Sequence, residues 1–138
     1  MERSKQTVRV FLVHANADRK SVHKLYTRLM QDGIDAWMDV ENLQPGQDWQ
    51  SEIHKAIIQS DRVLVCLSKT FNERKGYRHE EVKLALEKAN FLPENVISII
   101  PVRLAKCDMP ESLQHLHRID LFNVGGYEKL IRALRGKV

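Results

Sequence analysis

A chain of 138 residues, 43% hydrophobic and 29% charged, can bury roughly two-thirds of its unfolded surface in one core, and residues 1–138 read as a single domain. The net charge of +4 and pI near 9.2 come from basic residues interleaved with acids. The one basic helix face, Lys129, Arg132 and Arg135, lacks the aromatics of a nucleic-acid footprint, so the field suits a phosphate-bearing small molecule instead.

No apolar run approaches the roughly 18 residues of a membrane span, and MERSKQ has no apolar signal core. Two unclustered cysteines, Cys66 and Cys107, imply reduced thiols in a cytoplasmic chain. Scattered histidines, with His115 and His117 the one close pair, give no metal-ligand cluster. No membrane contact, metal or cofactor is expected.

In chain order, Thr7 to His14 is apolar nearly throughout and predicts a strand buried on both faces. A tight polar loop, Ala15 to Asp18, follows, and Asp18 or Asn16 can cap the next helix. That helix places Val22, Leu25, Leu29 and Met30 at helical spacing and stops at Asp32-Gly33. Ile34 to Asp39 is a second strand. Val40 to Asp48 is a long loop turned by Pro45-Gly46. Trp49 to Ser60 is helical, with Ile53, Ala56 and Ile57 inward. Val63 to Leu67 is a third strand, Ser68 to Gly76 a polar loop, and Tyr77 to Ala89 an amphipathic helix. Asn95 to Leu104 is a fourth strand that contains Pro101. One helical turn near Ser112 to Leu116, a short strand at Arg118 to Leu121 and a helix over Gly125 to Arg135 complete the chain.

Strands alternating with helices predict an α/β fold with a doubly wound parallel five-stranded sheet, helices on both faces and strand order 2-1-3-4-5. In such a sheet the order reverses between the first and third strands, and ligands bind beyond the carboxyl ends at that switch point. Three stretches converge there: Ala15 and Asn16 with Asp18, Trp37 and Asp39 with the Pro45-Gly46 loop, and Ser68 with Tyr77 and Glu81.

Within the helix from Tyr77, Val82, Ala85, Leu86 and Ala89 share one stripe. Glu81 lies about 90° from its centre and about 40° around from Tyr77. First-turn placement favours the ionised carboxylate, and the same position also suits a plain helix-favouring glutamate. A dinucleotide-binding turn is excluded because His14-Ala15-Asn16-Ala17 has no glycine. A phosphoacceptor site is excluded because Leu67-Ser68 stands where the acceptor aspartate is needed. Ser68 lacks an evident base, since His79 has no orienting partner. Cleavage of an N-glycosidic bond needs less: one carboxylate stabilises the oxocarbenium sugar, and a cationic base such as nicotinamide leaves neutral without an acid. At about 4 Å that pairing is worth about 1 kcal/mol in water and about 4 kcal/mol near a protein surface.

The chain resembles a TIR domain of the bacterial type over nearly its whole length. The resemblance rests on Val10-Phe11-Leu12-Val13-His14-Ala15 with Asp18, on Trp37-Met38-Asp39-Val40-Glu41-Asn42-Leu43 running to Pro45-Gly46-Gln47-Asp48-Trp49, on Val63 to Ser68, on Tyr77-x-x-x-Glu81, and on Ile100-Pro101-Val102 with Leu113 to Leu121. It implies a flavodoxin-like fold and an NAD glycohydrolase with Glu81 as the catalytic glutamate. Tyr77 stands where many relatives have Trp. The resemblance also implies activation by self-association through the BB loop, Gln44, Pro45, Gly46, Gln47, Asp48 and Trp49. A bacterial antiphage role follows, within a larger effector or beside a partner that supplies a sensor. The rival expectation is a non-catalytic TIR assembly adaptor. Related chemistry on a nucleoside would use a second acid, Asp39 or Glu41, and Arg19 and Lys20 are candidates for holding a pyrophosphate.

Overall fold

The computed structural model describes residues 8–38, 44–73, 83, 87 and 99–136, with the backbone alone at Trp49, Gln50 and Glu73. Five parallel strands form one sheet in the order β2-β1-β3-β4-β5. They are β1 (Arg9–Val13), β2 (Asp35–Trp37), β3 (Arg62–Leu67), β4 (Ile99–Arg103) and β5 (Ile119–Asp120). The described helices are α1 (Arg19–Gln31), α2 (Trp49–Gln59), α3 (Lys69–Glu73) and α4 (Gly126–Arg135). The expected fold and strand order are the observed ones. Among the described residues no helix is long and apolar enough to cross a membrane.

Continuous apolar runs in β1 and β3 produce this architecture because alternate side chains feed opposite faces. Val10 and Leu12 of β1, with Leu64 and Cys66 of β3, pack under α1 and α4 through Val22, Leu25, Leu29, Leu130 and Leu134. Phe11 and Val13, with Val63, Val65 and Leu67, face the other way, toward Ile53 and Ile57 of α2 and Phe71 of α3. Registers of Phe11 with both Trp37 and Val63, and of Val65 with Pro101, keep the strands level.

Local signals set the boundaries. The end of α1 is a Schellman motif: Gly33 adopts φ +84°, its N–H donates to the Met30 carbonyl at 3.1 Å, and Ile34 N–H donates to Leu29 at 2.9 Å. Leu29 and Ile34 then share one core. Tyr127 of α4 donates its hydroxyl to Asp32 at 2.6 Å, and Arg135 reaches the Asp32 carbonyl at 2.7 Å. Arg28 lies over the Tyr127 ring at 3.7 Å. Burial, with the hydrogen bond to Asp32, pushes the Tyr127 hydroxyl well above its ordinary range, so this link stays protonated. Pro101 is tolerated inside β4 for a geometric reason. Leu104 N–H points to β3, donating to Leu67, so by alternation the Pro101 nitrogen faces β5, whose pairing begins only at Val102.

Two expectations change. Ser68 to Gly76 was expected as loop, but Lys69–Glu73 is helical. Asp18 stands at the N-cap of α1 yet makes no side-chain cap hydrogen bond there, because its carboxylate is engaged elsewhere.

Gly126 opens α4 directly against the backbone of Asp120, where an added Cβ would collide with the carbonyl oxygen. Backbone cannot yield as a flexible side chain does. Gly126→Ala is expected to lower stability by about 1–3 kcal/mol, read as an earlier urea midpoint with an unchanged slope.

Candidate functional site

Parallel strands send every connection from their carboxyl ends to one edge of the sheet, where the structure builds a network of polar clips. The first joins β1 to β3. Ser68, which follows β3 and is buried, donates its hydroxyl proton to the Asp18 carboxylate at 2.5 Å, the length of a charge-assisted bond. The same oxygen accepts the Phe71 N–H at 3.0 Å, which makes Ser68 the N-cap of α3. Its hydroxyl is thereby committed in both directions, as donor to a carboxylate and acceptor from a backbone N–H.

Around this clip, Ala15 is buried and Asn16 exposed, at the start of a short 3-10 turn, Asn16–Asp18. His14 is fully buried, with Nδ1 donating to the Ala15 carbonyl at 2.9 Å. Arg19 and Lys20 are exposed beside it. A second clip ties α3 to the connection after β4, where Asn72 Nδ2 donates to the Asp108 carbonyl at 2.7 Å. In the third, Arg103 at the end of β4 grips Asp120 at the end of β5 with two bonds, of 2.7 and 2.9 Å, and donates to the Cys107 carbonyl at 2.6 Å. Arg103 itself is buried.

These contacts bias the chemistry of the edge. Hydrogen bonds from Arg103 hold the Asp120 carboxyl below the usual carboxylate range. Burial pushes both thiols up, Cys66 far above its ordinary value and Cys107 in the same direction. Neither offers a thiolate nucleophile at neutral pH.

Three of the candidate residues, Asp39, Tyr77 and Glu81, lie outside the described residues, as does Glu41. Lys83 and Glu87 are both helical and exposed. Ala15 and Asn16 lie on the connection after β1 and Ser68 on the connection after β3, and the Asp18–Ser68 bond joins the two. Trp37 does not join them: its half-buried ring stacks on Phe11 with centroids 5.0 Å apart and packs in the α2 core. Gln44 to Asp48 are all exposed. Gln47 N–H donates to the Gln44 carbonyl at 3.1 Å across Pro45 and Gly46, with Gly46 at φ +90°, a type II arrangement. Gln47 Oε1 accepts the Gln44 N–H at 2.8 Å, so this turn braces itself and presents its tip outward.

Residue-by-residue reading missed the Asp18–Ser68, Asn72–Asp108 and Arg103–Asp120 contacts. For the first a signal existed: a serine closing a strand, with Lys69-Thr70-Phe71 behind it, is an N-cap candidate.

Two outcomes follow. Ser68→Ala is expected to cost about 1–2 kcal/mol in urea unfolding, and Ser68→Thr to recover most of it. Asp120 carries a pKa below its unfolded value, so its contribution is present above the ordinary carboxylate range and is lost as pH falls through the folded pKa. Stability of Asp120→Asn, measured from pH 7 down to 3, should therefore fall less steeply with acid than that of the parent, from a lower starting value.

A family model described as TIR domain matches residues 10–135. Among curated proteins none matches the sequence. Solved structures do. The TIR domain of the Toll-related receptor TRR-2 from Hydra magnipapillata superposes with a TM-score of 0.77 at 23% identity, over 92% of this chain and 98% of that one. The TIR domains of the activated Roq1 resistosome, which directly recognises the pathogen effector XopQ, match with a TM-score of 0.61 at 28% identity, over 78% of this chain and 61% of that one. The Clostridium botulinum CMP N-glycosidase BcmB has a TM-score of 0.62 at 19% identity, over 91% and 99%.

Proposed function

The chain belongs to the TIR domain family, and on that premise we propose that it is an NAD glycohydrolase, releasing nicotinamide with ADP-ribose or its cyclised form. The observation that carries this reading is the strand order. It puts the switch point at β1 and β3, where the Asp18–Ser68 bond draws together the connections after both strands. The connection that Ser68 opens is also the one that bears Tyr77-x-x-x-Glu81. An N-glycosidase with a similar fold, the CMP-cleaving enzyme, lends support, since N-glycosidic cleavage is chemistry that such a scaffold hosts in that protein.

Glu81 serves as the anion facing the ribose as the bond to nicotinamide breaks. Nicotinamide departs neutral with the bonding electron pair, water adds to the anomeric carbon, and its proton passes to solvent. In the cyclised product an adenine nitrogen replaces the water. Tyr77 walls the ring from solvent, and Ala15 and Asn16 line the approach. Dryness is essential because the carboxylate stabilises the sugar cation several times better once bulk water is excluded.

Self-association supplies that exclusion. The outward Gln44 to Asp48 turn, with Trp49 behind it, meets the site of a second copy, as an assembly of the resistosome kind would allow. A sensor domain or partner protein sets the trigger, in bacterial antiphage defence.

The test is nicotinamide release from NAD, followed by chromatography across a range of protein concentrations. Parent activity per molecule is expected to rise with concentration, and Glu81→Ala to lose at least ~10²-fold, about 2.7 kcal/mol of barrier, with its circular dichroism unchanged. Parent-like turnover by the variant removes Glu81 from the mechanism. Release of cytosine from CMP in place of nicotinamide would move the substrate assignment, and self-association with no release from either would leave an assembly adaptor.

A further inference from the structure

On the α2 face of the sheet, away from the Ser68 edge, a concavity of about 250 Å³ lies between α2 and the edge formed by β1 and β2. Ligand pockets commonly measure ~300–1,000 Å³, so this one suits a molecule much smaller than a dinucleotide. Its lining follows from simple periodicities. Arg9 and Asp35 are register partners on β1 and β2, Trp37 is two residues beyond Asp35 on the same face of the pleat, and Glu52, Lys55 and Ala56 recur at helical spacing on α2.

The charges come as two pairs of opposite sign, Arg9 Nε to Asp35 Oδ2 and Lys55 Nζ to Glu52 Oε2, both at 3.5 Å. Side-chain exposures of 59% and 51% in the first pair and 64% and 29% in the second mark both as weakly held. Such exposed pairs are worth little, so each can exchange its partner for a charge on a ligand. Between them, Trp37, pinned by its stack on Phe11, and Ala56 supply an apolar wall.

We propose that this cavity is a binding site for a small zwitterion of the α-amino-acid class with an apolar side chain. The carboxylate of the ligand lies between Arg9 and Lys55, its ammonium between Asp35 and Glu52, and its side chain against Trp37 and Ala56. Two cations and two anions on one small cavity match a ligand that carries one charge of each sign. A ligand with a single charge leaves one of the two pairs unanswered. This site shares no residue with the Glu81 reading, and either stands without the other.

The experiment is a nitrogen-edited NMR titration of the full chain with L-leucine, reading the Trp37 indole N–H, which is distinguished from that of Trp49 by its disappearance in Trp37→Phe. Saturable shifts in the millimolar range are expected, with binding at least ~10-fold weaker for leucinamide, which lacks the carboxylate, and for 4-methylpentanoate, which lacks the ammonium. Lys55→Met and Glu52→Gln should each weaken leucine binding at least ~5-fold while the remaining spectrum is unchanged. A shift that stays linear to about 50 mM, equal affinity for the three ligands, or parent-like binding by both variants overturns the proposal.

Discussion

Burial of β1 and β3 on both faces is the constraint from which the rest of the molecule follows. Alternate side chains of these strands enter two separate cores, so helices must cover the sheet on both sides. Crossover helices in turn make neighbouring strands parallel. Once all five strands run one way, every connection from a carboxyl end emerges at the same edge. An edge that gathers these connections is thus a consequence of hydrophobic patterning, before any polar residue has been chosen for it.

Polar contacts then determine how rigid that edge is. Asp18 makes no cap bond to its own helix and instead accepts the hydrogen bond of the Ser68 hydroxyl, and Ser68 in turn caps α3. One hydroxyl thereby couples the end of β1, the end of β3 and the start of the segment leading toward Tyr77 and Glu81. At the other end of the edge, Arg103 is buried and paired to Asp120. A buried pair of this kind adds little net stability over an apolar contact but is costly to break on one side. Its role here is registration: it holds the two-residue β5 to β4 and keeps the base of α4 close to the Asp120 carbonyl, where only glycine fits at position 126.

The carboxyl edge and the cavity beside α2 differ in kind. At the carboxyl edge, polar groups are tied to one another by short bonds, which suits a site where a charged transition state must meet groups that do not reorganise. The cavity beside α2 has loose, exposed ion pairs instead, which suits reversible exchange of partners with a small ligand. Trp37 belongs with the second, because the stack on Phe11 turns its ring toward the α2 core.

Local patterning was sufficient for much of this. The apolar runs of β1 and β3, the spacing of Val22, Leu25 and Leu29, the Asp32-Gly33 stop and the Pro45-Gly46 turn each encode their conformation through contacts within a few residues. Crossover handedness restricts the strand order to a few doubly wound arrangements, of which 2-1-3-4-5 is the observed one. Glu81 was singled out by its spacing from Tyr77 and by family resemblance, since a motif of five residues is legible without any distant partner. Other features depend on partners distant in the chain and so had no local signature. Ser68 finds Asp18 fifty residues away, Tyr127 finds Asp32 across ninety-five, and Gly126 is required by a carbonyl that only the packing of α4 brings near. The sequence by itself determined the five strands, the longer described helices and the edge that collects the loops, because those depend on periodic burial, whereas the short helix Lys69–Glu73 was not read from it. Tertiary structure alone decided which polar groups meet at that edge, because a hydrogen bond requires a partner placed to within a fraction of an ångström.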